Sequence, residues 1–168
     1  GNYSSGKMGE AIADKAFEYG ADVVLISSVP FEKPYRVVIA ETAAKMFEAV
    51  KNDFTDANSL IMAAAVADYR PVVVADEKIK KESVSELTLQ LVKNPDILAE
   101  MCKIKREDQI VVGFCAESQN LVENAKAKIQ KKACDYIAAN DISRKDIAFS
   151  SDFNVVSYTH LTLPTTER

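Results

Sequence analysis

The sequence has almost no histidine, and this limits the chemistry that it can perform. His160, near the C-terminus, is the single histidine among 168 residues. A histidine general base or a histidine metal cluster therefore has no material in the main body of the chain. Any catalysis would have to rest on Lys, Asp and Asn side chains and on backbone dipoles.

Cysteine and long hydrophobic runs are also scarce. Cys102, Cys115 and Cys134 are an odd number of cysteines at wide intervals, which argues against a disulfide framework and a zinc site. We therefore expect reduced thiols and a cytoplasmic protein. No apolar run approaches the roughly 20 residues of a membrane span, and the first residues lack a signal-peptide pattern. We expect a soluble protein without a membrane partner.

The charge is nearly balanced, so a nucleic-acid partner is not indicated. There are 21 Lys and Arg against 25 Asp and Glu, a net charge of -4. An anion site would therefore have to be local rather than a property of the whole surface. With 48% apolar residues, the chain can form one compact domain with a sizeable core.

Helical and strand-like patterns alternate along the chain. Apolar residues at helical spacing predict a first helix from Met8 to Tyr19, with Ser4 or Ser5 as its cap and Gly20 after its end. The other predicted elements are a strand at 22–28, a helix at 41–52, strands at 59–66 and 87–92, a helix opening at Pro95, a strand at 109–115, a helix at about 120–133 and a strand at 135–139. This alternation predicts an α/β fold, a Rossmann-like three-layer sandwich with a mainly parallel sheet.

Both ends of the sequence differ from a complete fold of this kind. The chain begins at a loop that leads directly into a helix, so we expect the first strand to be missing. After SDFNVV, the segment SYTHLTLPTTER has no amphipathic period and resembles translated sequencing adapter. We expect an N-terminally truncated domain over residues 1–156, lacking its last helix, and a non-native or disordered tail over 157–168.

Four predicted strands end in small residues followed by polar ones, in SSVP, AVADYR, CAES and AAND. Ligands of parallel α/β sheets bind outside the carboxyl ends of the strands, so these ends predict a site. The alternative is that small residues simply permit tight turns there.

The opening GNYSSGKM resembles the P-loop template G-x-x-x-x-G-K-[ST] except that Met8 replaces the hydroxyl residue. No strand precedes it, so we interpret it as a polar loop at a helix N-terminus, where N–H groups and the helix dipole favour an anion. Asn2 adds a side chain that both donates and accepts. An ordinary serine-capped helix start is the simpler alternative.

Two further segments suggest nucleotide binding. In AAAVADYRP, the alanines leave room for a ligand and Asp68 could accept hydrogen bonds from ribose hydroxyls or a base amino group. Lys78, in EKIKKE, could bind a triphosphate, although such a charge run is usually a solvated face.

The second half of the chain adds three candidates. KNPDIL has Asn94 as a candidate N-cap and Pro95 at the first helical position, and its N–H groups could bind a ligand. Phe114, in VVGFCAES, could stack on a base or belong to the core. Lys128 and Lys132 are four residues apart and share one helix face.

Taken in order, SSGKMG, AAAVADYRP, KIKK, KNPDIL, VGFCAES and AND resemble the successive motifs of phosphopantothenate-cysteine ligase, which is usually the C-terminal half of a bifunctional coenzyme A biosynthesis flavoprotein. The resemblance runs from Asn2 to about Val156. It implies that CTP activates the carboxylate of 4′-phosphopantothenate as an acyl cytidylate, and that cysteine then displaces CMP.

The resemblance also implies roles for individual residues. Asn2 would hold phosphopantothenate and the acyl cytidylate, and Lys78 would act on the triphosphate and in acyl-cytidylate formation. The residues implied to bind CTP are Ala63, Ala64, Ala65, Asp68, Lys78, Pro95, Asp96, Ile97, Leu98, Phe114, Lys128 and Lys132. Phe114 would contact the cytosine end.

The same resemblance implies Mg²⁺ as a cofactor and a homodimer in which the segment around KIKK crosses to the partner. The apolar LTLQLV segment at 87–92 suits that role. FMN would belong to a decarboxylase half that this sequence does not contain. Two alternatives stay open at this point, a Rossmann-like NAD(P)-dependent reductase and a non-catalytic nucleotide-binding fragment.

Overall fold

The structure is a computed structural model that describes residues 5–74, 86, 88–117, 120–141 and 156–160. Within these residues, the elements in chain order are α1 (Lys7–Glu18), β1 (Val24–Ser27), β2 (Arg36–Ile39), α2 (Ala43–Phe54), β3 (Ser59–Met62), β4 (Tyr69–Pro71), β5 (Leu91–Lys93), α3 (Ile97–Ile104), β6 (Ile110–Glu117), α4 (Leu121–Lys132), β7 (Tyr136–Asp141) and β8 (Val156–His160). Strands and helices alternate through most of this order, as the sequence predicts.

The described strands form one larger sheet and two pairs. The larger sheet has the order β3-β6-β7-β8, in which β3, β6 and β7 run parallel and β8 is antiparallel. Strands β1 and β2 form a parallel pair, while β4 and β5 form an antiparallel ribbon. The predicted α/β fold with a mainly parallel sheet is confirmed. None of the described helices is long and apolar enough to cross a membrane.

The core joins three helices to the central strands. Helices α2, α3 and α4 each contribute apolar residues at helical spacing to one buried cluster. Strands β6 and β7 contribute residues to the same cluster. This buried cluster includes Met46, Val50, Phe54, Leu98, Met101, Val111, Ala125, Ile129 and Ile137. Because α3 and α4 share this core, the segments that lead into and out of them are held against the sheet.

The start of α1 differs from the predicted serine cap. Gly6 is the N-cap residue, with φ 74° and no side-chain cap hydrogen bond. Its left-handed conformation suits glycine, and a Cβ there would lie 3.0 Å from the Phe31 ring. Ser5 instead accepts a long hydrogen bond of 3.5 Å from the Lys7 N–H. Ser4 lies outside the described residues.

Two predicted strands are shorter than expected. Strand β3 ends at Met62 instead of residue 66, because the following residues leave the sheet and form one side of a pocket. Strand β5 occupies Leu91–Lys93 instead of 87–92. Periodicity locates an apolar segment but not the residues at which its backbone pairing begins and stops.

Three strands, β2, β4 and β8, were not predicted. The first two have only four and three residues, too short for a periodic pattern. Strand β8 overlaps the expected non-native or disordered tail, and residues 157–160 of that strand pair with β7. The local sequence does not indicate a strand here, and β8 forms because it pairs with β7. The domain boundary at 156 and the adapter origin of the tail stay predictions, and 161–168 lie outside the described residues.

Candidate functional site

A pocket of about 300 Å³ lies beyond the carboxyl end of β3 and beside the start of α3. This volume is within the range of small-molecule sites. The lining residues come from the segment after β3, from the β5–α3 junction, from β6 and from the end of α4. They are Met62, Ala64, Val66, Ala67, Asp68, Lys93, Asn94, Pro95, Asp96, Ile97, Leu98, Phe114, Lys131 and Lys132.

One wall of the pocket is the irregular segment between β3 and β4. Its small side chains, such as Ala64 and Ala67, leave space near the backbone, and the exposed carboxylate of Asp68 stands at the rim. A carboxylate in this position can accept hydrogen bonds from ligand hydroxyl or amino groups.

The opposite wall is the N-terminus of α3. Asp96 is the N-cap, and its Oδ1 accepts a hydrogen bond of 3.1 Å from the Ala99 N–H. The predicted N-cap role of Asn94 is therefore wrong, since the helix begins two residues later than expected. Pro95 precedes the cap instead of occupying the first helical position. The N–H groups of Ile97 and Leu98 are the first of the helix and have no intrahelical acceptor.

Asp96 also joins α3 to α4. The Lys132 ammonium lies 3.0 Å from Asp96 Oδ2 and 3.2 Å from Oδ1, at the side of the pocket. Partial burial acts to raise the pKa of the Asp96 carboxyl, but the Ala99 N–H and Lys132 outweigh it and hold that pKa below its usual value. Asp96 is therefore ionised at neutral pH and fixes the position of a cation beside the pocket.

Gly113 allows α3 to approach the sheet at this point. A Cβ on Gly113 would lie 2.5 Å from Leu98 Cδ2 and 2.8 Å from Ile137 Cδ1, distances that real atoms do not adopt. The missing side chain lets the first turn of α3 pack directly on β6. The next residue of β6, Phe114, is half-buried and lines the pocket.

The pocket concentrates positive charge in an acidic chain. Lys93, Lys131 and Lys132 line it together with two aspartates. Among the residues that the structure describes, no group of three or more His, Cys, Asp or Glu side chains could hold a metal ion. The three lysines suit an anionic organic ligand.

The structure brings together eight of the thirteen predicted site residues at this pocket, namely Ala64, Asp68, Pro95, Asp96, Ile97, Leu98, Phe114 and Lys132. Ala63, Ala65 and Lys128 do not line it. Asn2 and Lys78 lie outside the described residues, so their predicted positions stay predictions. The roles of all thirteen residues likewise stay predictions.

Several lining residues were not predicted, although most lie next to predicted ones. Lys93 and Asn94 precede Pro95 in KNPDIL, and Lys131 precedes Lys132. The prediction paired Lys128 with Lys132, but at the end of α4 it is Lys131 that lines the pocket beside Lys132. The dipeptide of lysines at the helix end was the signal that could have indicated Lys131.

Comparison with known proteins identifies relatives over almost the whole chain. The family model described as "DNA/pantothenate metabolism flavoprotein C-terminal domain" matches residues 1–165. The Coenzyme A biosynthesis bifunctional protein CoaBC of Escherichia coli (strain K12) is 45% identical over 160 residues, and the CoaBC protein of Vibrio vulnificus (strain YJ016) is 39% identical. These alignments cover 92% and 93% of this chain, but only 39% and 40% of those relatives.

A solved structure agrees with this relationship. The crystal structure of the C-terminal domain of CoaBC matches with a TM-score of 0.74 and 33% sequence identity. The match covers 95% of this chain and 70% of that one. Since the family model matches nearly every residue, the chain belongs to the family of DNA/pantothenate metabolism flavoprotein C-terminal domains.

Proposed function

We propose that this chain performs the ligase reaction of coenzyme A biosynthesis, in which 4′-phosphopantothenate is joined to cysteine at the expense of CTP. The observation that carries this proposal is the pocket, where residues from three separated motifs of the resemblance, AAAVADYRP, KNPDIL and VGFCAES, meet around one cavity. The membership of the family and the names of the CoaBC relatives give the biosynthetic context.

The reaction has two steps. A carboxylate oxygen of 4′-phosphopantothenate attacks the α-phosphorus of CTP, and pyrophosphate leaves, which produces an acyl cytidylate. The amino group of cysteine then attacks the acyl carbon, loses a proton and expels CMP, which produces the amide. Both steps need charge neutralisation and alignment more than a strong base, so the scarcity of histidine is no obstacle.

The described residues would supply the nucleotide site. Asp68 would accept hydrogen bonds from the ribose hydroxyls, and Phe114 would contact the cytosine end. The first N–H groups of α3, at Ile97 and Leu98, would face phosphate oxygens, because helix N-termini favour anions. Lys132, which Asp96 holds beside the pocket, would add positive charge together with its neighbours.

The remaining roles rest on the resemblance alone. Asn2 would hold phosphopantothenate and the acyl cytidylate, and Lys78 would contact the triphosphate. Mg²⁺ would enter with the triphosphate, since such ions are usually bound by substrate phosphates and few protein carboxylates. FMN would be bound by a decarboxylase half and not by these residues.

We also propose a homodimer formed through the β4–β5 ribbon. Apolar side chains are exposed along this ribbon and the residues beside it, and Val73 and Val74 are 80% and 77% exposed. The other exposed apolar residues there are Tyr69, Val72, Leu89, Leu91 and Val92. Several exposed apolar side chains on one ribbon are typical of a protein–protein interface. Replacing Val73 and Val74 with Glu should shift the protein to a monomer in sedimentation velocity, whereas Ile104→Glu, also at an exposed apolar position, should not.

Calorimetric titration with CTP, ATP and NADPH tests the nucleotide assignment. We expect binding of CTP in preference to ATP and no binding of NADPH. Binding of NADPH without CTP would instead favour the reductase alternative, and the ligase proposal would fail.

Pyrophosphate release from CTP tests the chemistry. We expect release that depends on added 4′-phosphopantothenate and is abolished by Lys78→Gln. Lys103→Gln, at an exposed lysine that pairs with Glu100 on the surface of α3, is the matched control and should leave release unchanged. CTP binding without any release would favour the non-catalytic fragment, and release that survives Lys78→Gln would remove that lysine from the mechanism.

A further inference from the structure

Asn94 is a buried polar residue within the pocket wall, and capping does not explain it. Its exposed fraction is only 6%, whereas Asp96 caps the helix that follows. A buried amide must satisfy its donors and acceptor, so its partners indicate what it does.

Within the part of the chain that the structure describes, Asn94 forms hydrogen bonds to one short segment, residues 67–70. Its backbone N–H donates to the Asp68 carbonyl at 2.7 Å, and its Nδ2 donates to the Ala67 carbonyl at 2.7 Å. Its Oδ1 accepts a hydrogen bond of 2.9 Å from Arg70 Nη1. Only an amide side chain provides both the donor and the acceptor in this geometry. Aspartate would place an oxygen against the Ala67 carbonyl, and leucine would satisfy neither partner.

These hydrogen bonds connect the two walls of the pocket. Residues 63–68 belong to no strand, because β3 ends at Met62 and β4 begins at Tyr69. Asp68 adjoins β4 and Asn94 adjoins β5, so the backbone hydrogen bond between them continues the Tyr69↔Lys93 register of that ribbon. The Asn94 side chain extends the link beyond the ribbon to the Ala67 carbonyl, so it fixes residues 67–68 relative to the residues that lead into α3.

We propose that Asn94, supported by Arg70, is a positioning residue for nucleotide binding, which holds the Asp68 wall at a fixed distance from the N-terminus of α3. This inference rests on the proposed function, because it takes CTP as the ligand. Small displacements of groups that contact a ligand are costly, so loss of this link should weaken CTP binding although Asn94 itself need not touch CTP.

The test is calorimetric titration of the full chain and its variants with CTP. Asn94→Ala and the isosteric Asn94→Asp should each weaken CTP binding about tenfold or more, as expected for the loss of a buried hydrogen bond. The matched control is Gln109→Ala. Gln109 is also a buried amide that binds two backbone carbonyls, but it does not line the pocket, so its variant should bind CTP within about twofold of the parent chain.

A double-mutant cycle separates positioning from general destabilisation. If Asn94 acts through the Asp68 wall, then Asp68→Asn combined with Asn94→Ala should lose less CTP affinity than the two single losses together. Asp68→Asn combined with Gln109→Ala, at a residue that does not line the pocket, should instead give additive losses. If a thermal melt shows that Asn94→Ala does not fold, Arg70→Ala is used in its place. Arg70 is exposed and donates to Asn94 Oδ1, so this variant should lose about threefold in CTP affinity.

The outcomes separate this inference from the proposed function. If the parent chain does not bind CTP, the proposed function fails and this inference fails with it. If the parent binds CTP but the Asn94 variants bind it equally well, or lose no more affinity than Gln109→Ala, only the positioning role is overturned. Selective loss in the Asn94 variants, with a non-additive cycle, supports it.

Discussion

Similar polar groups lie at the two edges of the central sheet, and the pocket described above lies at the carboxyl edge. At the carboxyl edge, the buried amide of Asn94 binds backbone carbonyls, and Asp96 accepts an N–H while pairing with Lys132. At the amino edge, the buried amide of Gln109 binds the carbonyls of Phe54 and Ala57 at 2.7 and 2.6 Å.

The amino edge repeats the ion pair as well. Asp135 accepts a hydrogen bond of 2.7 Å from the Val111 N–H and pairs with Lys105. Here the amide satisfies carbonyls at the end of α2 and the turn that follows, groups that a helix terminus leaves unpaired. The polar groups at this edge therefore pair with the backbone and with each other.

The difference teaches that buried polar groups do not by themselves identify a site. At the carboxyl edge of a parallel sheet the connections diverge and leave a crevice, so the same bonds hold two walls apart instead of closing a turn. Stability should respond to changes at both edges, whereas ligand binding should respond to one. Four predictions test this contrast, from the largest expected effect to the smallest.

Gly113→Val should have the largest effect on stability, because the valine side chain would collide with Leu98 and Ile137. We expect a loss of about 2–3 kcal/mol in the free energy of unfolding in urea. CTP binding should fall as well, since the start of α3 would be displaced. Gly9→Ala is the control, because a Cβ on this glycine of α1 meets nothing within 4 Å and should be neutral or stabilising. Unchanged stability of Gly113→Val would contradict the close packing of α3 on β6.

Gln109→Ala should come next, with a destabilisation of about 1–3 kcal/mol from the loss of the hydrogen bonds to the Phe54 and Ala57 carbonyls. Unfolding in urea, followed by circular dichroism, measures this loss. Because Gln109 lies at the amino edge, the CTP affinity of this variant should equal that of the parent chain at a temperature where both are folded. A parallel loss of CTP affinity would show that the two edges are coupled.

Asp96→Ala and Asp135→Ala should each cost about 1 kcal/mol, because each removes an acceptor from a backbone N–H. Only Asp96→Ala should also weaken CTP binding, since it releases Lys132 beside the pocket. Thermal melts and CTP titrations of the two variants, taken side by side, measure the contrast. Equal CTP affinities in the two variants would remove Asp96 from the nucleotide site.

The smallest effect should be a pH dependence that Asp96 contributes. Its pKa is lowered in the folded chain, so its contribution to stability is present above the usual carboxyl pKa of about 4 and is lost as pH falls through the folded value. Asp96→Asn keeps a capping side chain that does not titrate in this range. The stability difference between parent and Asp96→Asn should therefore shrink as the pH is lowered from 5 to about 3, as measured by urea unfolding at each pH. A difference that does not vary with pH would contradict the assigned charge state.

The sequence predicted most of the fold because its signals were local. Helical spacing located α1, α2 and α4 to within two residues at each end, and apolar runs located β1, β6 and β7. Errors arose where the outcome depends on a partner distant in the chain. Strand β8 forms by pairing with β7, and β3 ends early because its continuation turns into the pocket wall.

The site was predicted in part for a similar reason. Residues such as Asp68, Asp96 and Phe114 belong to motifs that can be read along the chain, and they meet at one pocket. Asn94 was assigned to a cap because its neighbours, proline and aspartate, fit that pattern locally. Its partners at Ala67 and Arg70 lie more than twenty residues earlier, and no local pattern reveals such hydrogen bonds.

The sequence by itself determined the α/β class, the order of most elements and the motifs that supply the pocket, because periodicity and turn residues act over a few positions. The tertiary structure decided which lysines of α4 reach the pocket, which residue caps α3 and which amide links the two walls. These choices depend on distances between segments far apart in the chain, and only the packing of α3 and α4 on the sheet fixes those distances.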